Sequence, residues 1–285
     1  MGKNQALSLR SQWLGERLRA ARARLGYTLR DVAEYVGLDF TTIGRFERGT
    51  QIIRPAYVRD LIAFYGISDE LERDRLLRLN EDAWRKDWWN GDTSDLDVGF
   101  IDYTWLEARA ERIWLFESTL FSGLLQTAEY TRAVTVAGLP GANEETIERM
   151  VELRLTRQRI LTGEAPTHLS MVVEEHALHR PIGGVGVQRR QLQHLLNRAE
   201  EPNIDVRILL PEVGWHFGNA GPFIIFGMPD PYPDVVYLEG IVGRTFLEEE
   251  ETVDTCKRGY DDLHRASLSP EKSRELIAAV LKGLT

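Results

Sequence analysis

Carboxylate and imidazole side chains in the middle of the chain could bind a metal ion or take part in proton transfer. The segment EEHALH holds Glu175 and His179 four residues apart, with His176 between them. It does not match H-E-x-x-H, and no third ligand follows at a diagnostic spacing. We therefore expect no metal and no other cofactor, and a strand end whose polar residues line a pocket or the surface.

Five more polar residues of the same region could face one cleft. They are Glu117, Glu174, His216, Tyr237 and Glu239. Paired carboxylates can carry out acid–base catalysis, but the nucleophile motif G-x-S-x-G is absent. We expect these residues to line a ligand pocket or to satisfy one another in the core, and we do not expect an enzyme. The loop GWHFGNAGPF is predicted to form the pocket rim, with packing of its aromatic residues as the alternative.

Strands and helices alternate in the region that would position these residues. The predicted strands are RIWLFEST, THLSMVVEEHAL, NIDVRILLP, GPFIIFGM and DVVYLEGIVGRTFLE. The last of these could form a hairpin around Gly240 or Gly243. A terminal helix is predicted with Ser269 as N-cap and Pro270 as its first residue. The pattern indicates a mixed α/β domain with some antiparallel pairing.

Charge is distributed unevenly along the chain. The net charge is −9, but residues 1–60 carry 11 Lys and Arg against 6 Asp and Glu, which gives +5. The remaining residues therefore carry −14. This asymmetry indicates a basic segment that faces a polyanion, with chance clustering of solvated charges as the alternative.

Length and composition restrict the class of protein further. A chain of 285 residues with 43% hydrophobic residues is long enough for two folded domains. No window approaches the roughly 18 consecutive apolar residues that a membrane span needs, so none is expected. The single cysteine, Cys256, excludes an internal disulfide framework, and we expect a reducing cytoplasm.

Five short helices are predicted before residue 84. Gly26 is expected to supply the left-handed residue that ends the first helix, and Gly37 to turn the chain after the second. Thr28 is the expected N-cap of the second helix, with Asp31 completing a shortened capping box. Asp39 is the expected N-cap of the third helix. A tight glycine turn between two such helices is typical of a helix-turn-helix.

The residues that carry this pattern also carry a family resemblance. Residues 14–65, with the run LGERLRAARARLGYTLRDVAEYVGLDFTTIGRFERGT, resemble the Xre/lambda-repressor-like helix-turn-helix family. The match covers the glycine spacing, the buried positions and the ending R-F-E-R-G. The resemblance implies that Arg22 and Glu47 pair with each other and are structural.

A module of this family places its third helix in the major groove of DNA. Because Ile43 and Phe46 point inward, Phe40, Thr41 and Arg45 are expected to face base edges. Other residues at the helix ends are expected to meet phosphates. The predicted DNA-contacting residues are Thr28, Arg30, Phe40, Thr41, Thr42, Arg45, Arg48 and Arg54.

Some of these assignments have alternatives. Phe40 could pack on the second helix instead, and Arg45 could be a solvated charge. Gly44 either permits close approach to DNA or only avoids a clash. The whole module could bind protein rather than DNA, although its excess of basic residues disfavours this.

The C-terminal region carries a second resemblance, over residues 100–282. The segments LFESTLFSGLLQTAEYTRAV, VVEEHALHRPIGG, QLQHLL, VRILLPEVGWH, VVYLEG and LSPEKSRELI are similar to a domain of unknown function. That domain follows an Xre module in many actinobacterial regulators and is grouped with Scr1-type antitoxin-like regulators. The resemblance implies a small partner protein and no known catalytic activity. Ser122 stands where the family usually has proline, which leaves the local turn open.

These observations together predict an α+β chain. We expect an all-α, five-helix DNA-binding domain over 1–83, a linker over 84–104 and a mixed α/β domain over 105–285 for dimerisation and for binding an effector or partner. The favoured function is a homodimeric, sequence-specific transcriptional regulator that binds operator DNA and receives a small cognate protein or a small-molecule effector. The alternatives are an enzyme with a targeting helix-turn-helix and an antitoxin that holds a cognate small protein.

Overall fold

Two units, Met1–Trp105 and Leu106–Thr285, make up the chain in the computed structural model. We call them the N-terminal and C-terminal units. The structure describes residues 8–84, 98–241 and 243–284. Most of the predicted linker, residues 85–97, lies outside these ranges, and its last residues belong to a helix that begins at Val98. No helix in the described ranges is long and apolar enough to span a bilayer.

The N-terminal unit is helical, as the sequence predicts. Its first five helices are α1 (Leu9–Arg24), α2 (Leu29–Val36), α3 (Phe40–Glu47), α4 (Pro55–Phe64) and α5 (Glu70–Trp84). The predicted capping box is present, because Thr28 accepts from the Asp31 N–H and Asp31 accepts from the Thr28 N–H. These reciprocal bonds satisfy two backbone donors at the start of α2.

Helices α1 and α3 approach each other so closely that only glycine fits at one position. A Cβ on Gly15 would lie 2.4 Å from the carbonyl oxygen of Phe46 and 2.8 Å from that of Glu47. Arg22 of α1 also binds the Glu47 carboxylate in a fork, at 2.6 and 2.9 Å. This hydrogen bonding raises the pKa of Arg22. The pair implied by the family resemblance is therefore present, and it ties α1 to α3.

The C-terminal unit contains a six-stranded sheet surrounded by helices. The helices are α6 (Val98–Arg109, shared with the N-terminal unit), α7 (Ala128–Gly138), α8 (Glu144–Arg157), α9 (His176–His179), α10 (Val185–Arg198), α11 (Glu250–Ala266) and α12 (Pro270–Gly283). The strands are β1 (Arg112–Glu117), β2 (His168–Glu174), β3 (Ile204–Leu209), β4 (Phe223–Gly227), β5 (Val235–Gly240) and β6 (Gly243–Leu247). This arrangement confirms the predicted α+β class with a mixed α/β C-terminal domain.

The strand order is β3-β2-β1-β4-β5-β6. Strands β1, β2 and β3 are parallel, whereas β4, β5 and β6 continue as an antiparallel meander. Consequently the carboxyl ends of β1, β2, β3 and β5 lie along one edge of the sheet, which we call the carboxyl edge. The predicted hairpin is present between β5 and β6, where Gly240 pairs with Gly243.

Each face of the sheet is buried by different side chains, because successive residues of a strand point to opposite faces. On the first face, Phe116, Val172 and Ile225 form a buried cluster with Tyr260 of α11. Cys256 of α11 is half-buried against the same cluster. The second face carries the alternate residues of each strand, among them the buried Leu115, Met171 and Val173.

Other local features refine the prediction. Strand β2 ends at Glu174, whereas the predicted strand continued to Leu178; His176–His179 instead form the single helical turn α9. Ser122 caps a 3₁₀ turn, Gly123–Leu125, by accepting from the Leu124 N–H at 3.3 Å. The serine that departs from the family pattern thus supports the turn through its side chain.

A buried ion pair joins α6 to α8 within the C-terminal unit. The guanidinium of Arg157 donates to both carboxylate oxygens of Glu107, at 2.6 and 2.7 Å. The Glu107 side chain is 1% exposed and that of Arg157 is 8% exposed. Such a pair fixes the register of the two helices, because either charge alone would be strongly disfavoured in the interior.

Candidate functional site

The turn between α2 and α3 sets the direction of α3. Gly37 is left-handed, with φ of 73°, and its N–H and that of Leu38 both donate to the Ala33 carbonyl. This is the usual termination of a helix by glycine. Asp39 then begins α3 by accepting from the Thr41 N–H at 2.7 Å.

Helix α3 has one buried face and one exposed face. Ile43 is 1% exposed and Phe46 is 3% exposed, whereas Phe40 is 47% exposed. Thr41 and Arg45 are also exposed. The three residues predicted to face base edges therefore lie on the solvent side of α3, as the inward positions of Ile43 and Phe46 require.

Gly44 is part of the buried face. A Cβ there would lie 3.1 Å from the guanidinium of Arg48 and 3.6 Å from the side chain of Leu29. The Leu29 distance is an ordinary van der Waals contact, and the Arg48 guanidinium ends a long exposed side chain that can move aside, so a methyl group would fit at this position.

Asp39 fixes the two threonines that follow it. Its carboxylate accepts from the Thr41 hydroxyl at 2.6 Å and from the Thr42 hydroxyl at 3.1 Å. These hydrogen bonds, led by that of Thr41, lower the pKa of Asp39. Since both hydroxyl protons are used within the helix end, the threonines offer acceptor lone pairs and methyl groups outward.

The guanidinium of Arg30 lies 5.7 Å from the centre of the Phe40 ring, within the range of a cation–π contact. Phe40 thus contacts α2 through Arg30 while remaining half-exposed. Thr28 is exposed, but its hydroxyl donates to Asp31 at 2.9 Å within the capping box. Arg48 and Arg54 are exposed, at the end of α3 and the start of α4.

In the C-terminal unit, the sheet separates the five predicted pocket residues into two groups. Residue Glu117 pairs in register with Val173, so Glu174 points to the opposite face. Glu174 and His216 lie on the first face, with Glu174 Oε1 and His216 Nε2 3.6 Å apart. Glu117, Tyr237 and Glu239 lie on the second face, since Tyr237 pairs with Ile224, which in turn pairs with Leu115 of that face. Glu117, Glu174 and Glu239 lie at the carboxyl edge, and Tyr237 lies further inside the sheet, in the middle of β5.

The second-face group has strongly perturbed acidity. Burial raises the pKa of Glu117 to about 8, with repulsion from Glu239 adding to the effect and Arg154 opposing it. Burial also raises the pKa of Tyr237. Glu239 itself is exposed and lies 3.3 Å from Arg244 Nε. Glu117 therefore holds its proton at neutral pH and can donate a hydrogen bond.

A set of glutamines that the sequence analysis did not single out holds the loop after β1. Gln126, Gln158 and Gln191 bond the backbone of residues 121–127 at 2.6 to 2.9 Å. Gln191 and the fully buried Leu192 both lie on the inward side of α10. The sequence signal for this buried polar network was the position of Gln191, directly beside the apolar face of the predicted helix.

The first-face group borders a cavity of about 460 Å³ at the carboxyl edge. Its lining contains Glu174 and His216 together with Glu175 and with residues of α9, the end of β3 and the β3–β4 loop. The lining residues are Glu174, Glu175, His176, His179, Leu209, Leu210, Pro211, Gly214, His216 and Asn219. The predicted rim loop GWHFGNAGPF thus supplies three of them, while its Trp215 is 88% exposed.

Comparison with known families agrees with this division of the chain. A family model described as a helix-turn-helix domain matches residues 13–76. A family model described as a domain of unknown function (DUF5753) matches residues 100–279. No curated protein and no solved structure matches the chain. The chain therefore belongs to the family defined by the domain of unknown function DUF5753, and carries a helix-turn-helix domain of the DNA-binding, transcription-regulating kind ahead of it.

Proposed function

We propose that the chain is a sequence-specific transcriptional regulator that reads duplex DNA with α3. The observation that carries this proposal is the exposed face of α3 in a helix-turn-helix domain. Arg45 has the donor fork that suits guanine O6 and N7, and Phe40 and the Thr41 methyl suit a thymine methyl. The use of both threonine protons by Asp39 favours methyl contacts over donation to a base.

The surrounding charges support backbone binding. Arg30, Arg48 and Arg54 are exposed, and residues 1–60 carry a net charge of +5. We assign these arginines to phosphate contacts that position α3 without specifying sequence. The hydroxyl protons of Thr28 and Thr42 are donated to Asp31 and Asp39, so these two threonines would bind phosphate only after those bonds are exchanged. Binding should accordingly weaken as salt concentration rises, by counterion release.

We further propose that the regulator acts in the cytoplasm as a homodimer on a twofold operator. Helix-turn-helix dimers read half-sites about 34–36 Å apart, so the operator should be a palindrome with that spacing. The C-terminal unit would receive the signal, either a small cognate protein or a small-molecule effector, by binding rather than by catalysis. A signal changes DNA binding only if it favours one of two states of the protein.

The test begins with affinity selection of genomic DNA by the full-length protein, followed by sequencing and by mass spectrometry of copurifying proteins. Arg45→Ala should cost about 1–3 kcal/mol on the selected site and relax the preference at one base position. Arg30→Ala should weaken binding to operator and random DNA alike and reduce the salt slope by about one. Arg78→Ala, an exposed arginine of α5, is the matched control and should leave both affinities unchanged.

Equal losses on operator and random DNA for Arg45→Ala would reject its role in reading bases. Failure of the wild-type protein to bind DNA at low ionic strength would reject the proposal as a whole. Sedimentation velocity with and without operator tests the dimer separately. Recovery of a small neighbouring protein in stoichiometric amount would favour a protein signal over a small molecule.

A further inference from the structure

The cavity beside Glu174 and His216 has the position and size of a small-molecule site. It opens at the carboxyl edge, beyond the ends of the parallel strands β2 and β3, where α/β sheets usually bind ligands. Its volume of about 460 Å³ lies within the roughly 300–1,000 Å³ range of ligand pockets. Gln188 donates to the carbonyls of Ala177 and Leu178 at 3.3 and 2.9 Å, which holds α9 in place beside the cavity.

The lining has an uncompensated negative charge. It contains two carboxylates, Glu174 and Glu175, whereas none of its described lining residues is lysine or arginine. Each carboxylate lies beside an imidazole: Glu174 is 3.6 Å from His216, and Glu175 is 3.4 Å from His179. Arg180 approaches the lining, with its guanidinium 3.1 Å from the ring of His176, but does not line the cavity. Two carboxylates in the lining against one guanidinium beside it give the site an excess of acidic over basic side chains.

Another part of the cavity lining is apolar. Leu209 and Leu210, at the end of β3, and Pro211 form part of the lining. Leu209 is 1% exposed and belongs to the first-face core, so this wall is continuous with the packed interior. We refer to these three residues as the apolar wall.

His216 borders the cavity beside Glu174. Its side chain is 12% exposed, and its ring packs edge-on against Phe116 with centroids 5.6 Å apart. Its Nδ1 atom is buried in the protein, at the start of the 3₁₀ turn Phe217–Ala220 whose N-cap is His216. Its Nε2 atom lies 3.6 Å from Glu174 Oε1, which is longer than a direct hydrogen bond, so the pair leaves hydrogen-bonding capacity at the cavity.

We propose that this cavity binds a small organic amine, with its ammonium group at Glu174 and Glu175 and its carbon skeleton on the apolar wall. The carboxylates accept charge-assisted hydrogen bonds from the ammonium group, and contact with the apolar wall removes the ligand's carbon skeleton from water. His216 borders the ammonium position through its Nε2 atom, 3.6 Å from Glu174 Oε1. The inference identifies the effector class for the signal-receiving part of the proposed function, although amine binding itself requires no DNA.

A second cavity in the same unit shows what a charge-balanced site looks like. It measures about 550 Å³, lies at the opposite edge of the parallel strands, and contains both arginines and carboxylates. There Asp205 already binds Arg207 at 2.9 Å and His264 at 2.9 Å. Its charges are compensated within the protein, so it offers no comparable preference for a cation.

The experiment titrates full-length protein with two amines, benzylamine and cadaverine, by isothermal calorimetry. Each amine has matched isosteres, benzyl alcohol and benzoate for the first, pentanediol and glutarate for the second. At least one amine should bind about tenfold or more tightly than both of its isosteres, the ratio expected for charge-assisted bonds. Glu174→Gln and Glu175→Gln should each weaken the binding of that amine by about tenfold. Glu200→Gln, in the second cavity, is the control and should bind as the wild type does.

A readout at the site separates binding there from binding elsewhere. The imidazole nitrogen signals of His216, assigned with His216→Gln, should shift on addition of the amine and remain unchanged with its isosteres. The proposal is wrong if neither amine binds more tightly than its isosteres, or if both glutamine variants retain full affinity. Because these measurements contain no DNA, their failure leaves the assignment of α3 intact, and loss of DNA binding leaves the amine result intact.

Discussion

Replacement of Glu117 by Gln should stabilise the C-terminal unit increasingly as pH rises. The folded protein raises the pKa of this carboxyl from 4.5 to about 8, mainly by burial. Between these values the folded state retains a proton that the unfolded state has lost, so stability falls as pH increases and levels off above pH 8. Glutamine has the shape of the protonated acid and cannot ionise, so the variant lacks this loss.

The size of the effect follows from the pKa difference. Of the range from pH 5.5 to 8.5, about 2.5 pH units lie below the folded pKa of about 8. At about 1.36 kcal/mol per unit, the wild type loses at most about 3.4 kcal/mol of stability over this range. Glu117 retains some contact with solvent, and this reduces the expected change to about 1–3 kcal/mol. The gain in stability from Glu117→Gln should therefore be larger at pH 8.5 than at pH 5.5 by that amount.

Urea denaturation followed by circular dichroism at the two pH values measures this difference. Glu164→Gln, at an exposed position between α8 and β2, is the matched control and should show the same small effect at both pH values. Glu239→Gln should reduce the pH dependence of the wild type, because it removes a repulsive charge that helps to raise the pKa of Glu117. A Glu117→Gln effect that is independent of pH would refute the reasoning, since it would mean that the folded carboxyl titrates normally.

Two other substitutions test the packing of each unit. Gly15→Ala should destabilise the N-terminal unit by about 2 kcal/mol or more, because the new methyl group would lie 2.4 Å from the Phe46 carbonyl oxygen. Thermal unfolding measures this loss. Gly138→Ala is the control and should be tolerated, because a Cβ there meets nothing within 4 Å. Glu107→Gln should cost the C-terminal unit about 3–5 kcal/mol in chemical denaturation, because it leaves the buried charge of Arg157 without its carboxylate. A loss below about 1 kcal/mol in either case would contradict the assigned contact.

Local signals in the sequence were sufficient for the N-terminal unit. The capping box at Thr28, the left-handed Gly37 and the inward Ile43 and Phe46 depend on residues a few positions apart. Helix caps and hydrophobic periodicity are properties of such short spans. The exposed face of α3 was therefore predictable, although the use of the threonine hydroxyls by Asp39 was not considered.

The arrangement of polar residues in the C-terminal unit required information that no short segment contains. Glu117 and Glu174 each end a strand, but which face each one takes depends on the register between β1 and β2. A shift of one residue would place them on the same face. The raised pKa of Glu117 likewise depends on β5, more than 100 residues later in the chain, which brings Glu239 to the same edge.

The single thiol of the chain offers an internal probe of core opening. Cys256 is the single cysteine, and it faces the first-face cluster from α11 with a thiol whose pKa is raised by burial. A thiol alkylates only as the accessible thiolate, so the native protein should react slowly and the detached helix quickly. The half-buried thiol of the folded protein gives a slow background rate of labelling by a maleimide or disulfide reagent, and any opening of α11 away from the sheet adds a faster reaction to it, without an engineered tag.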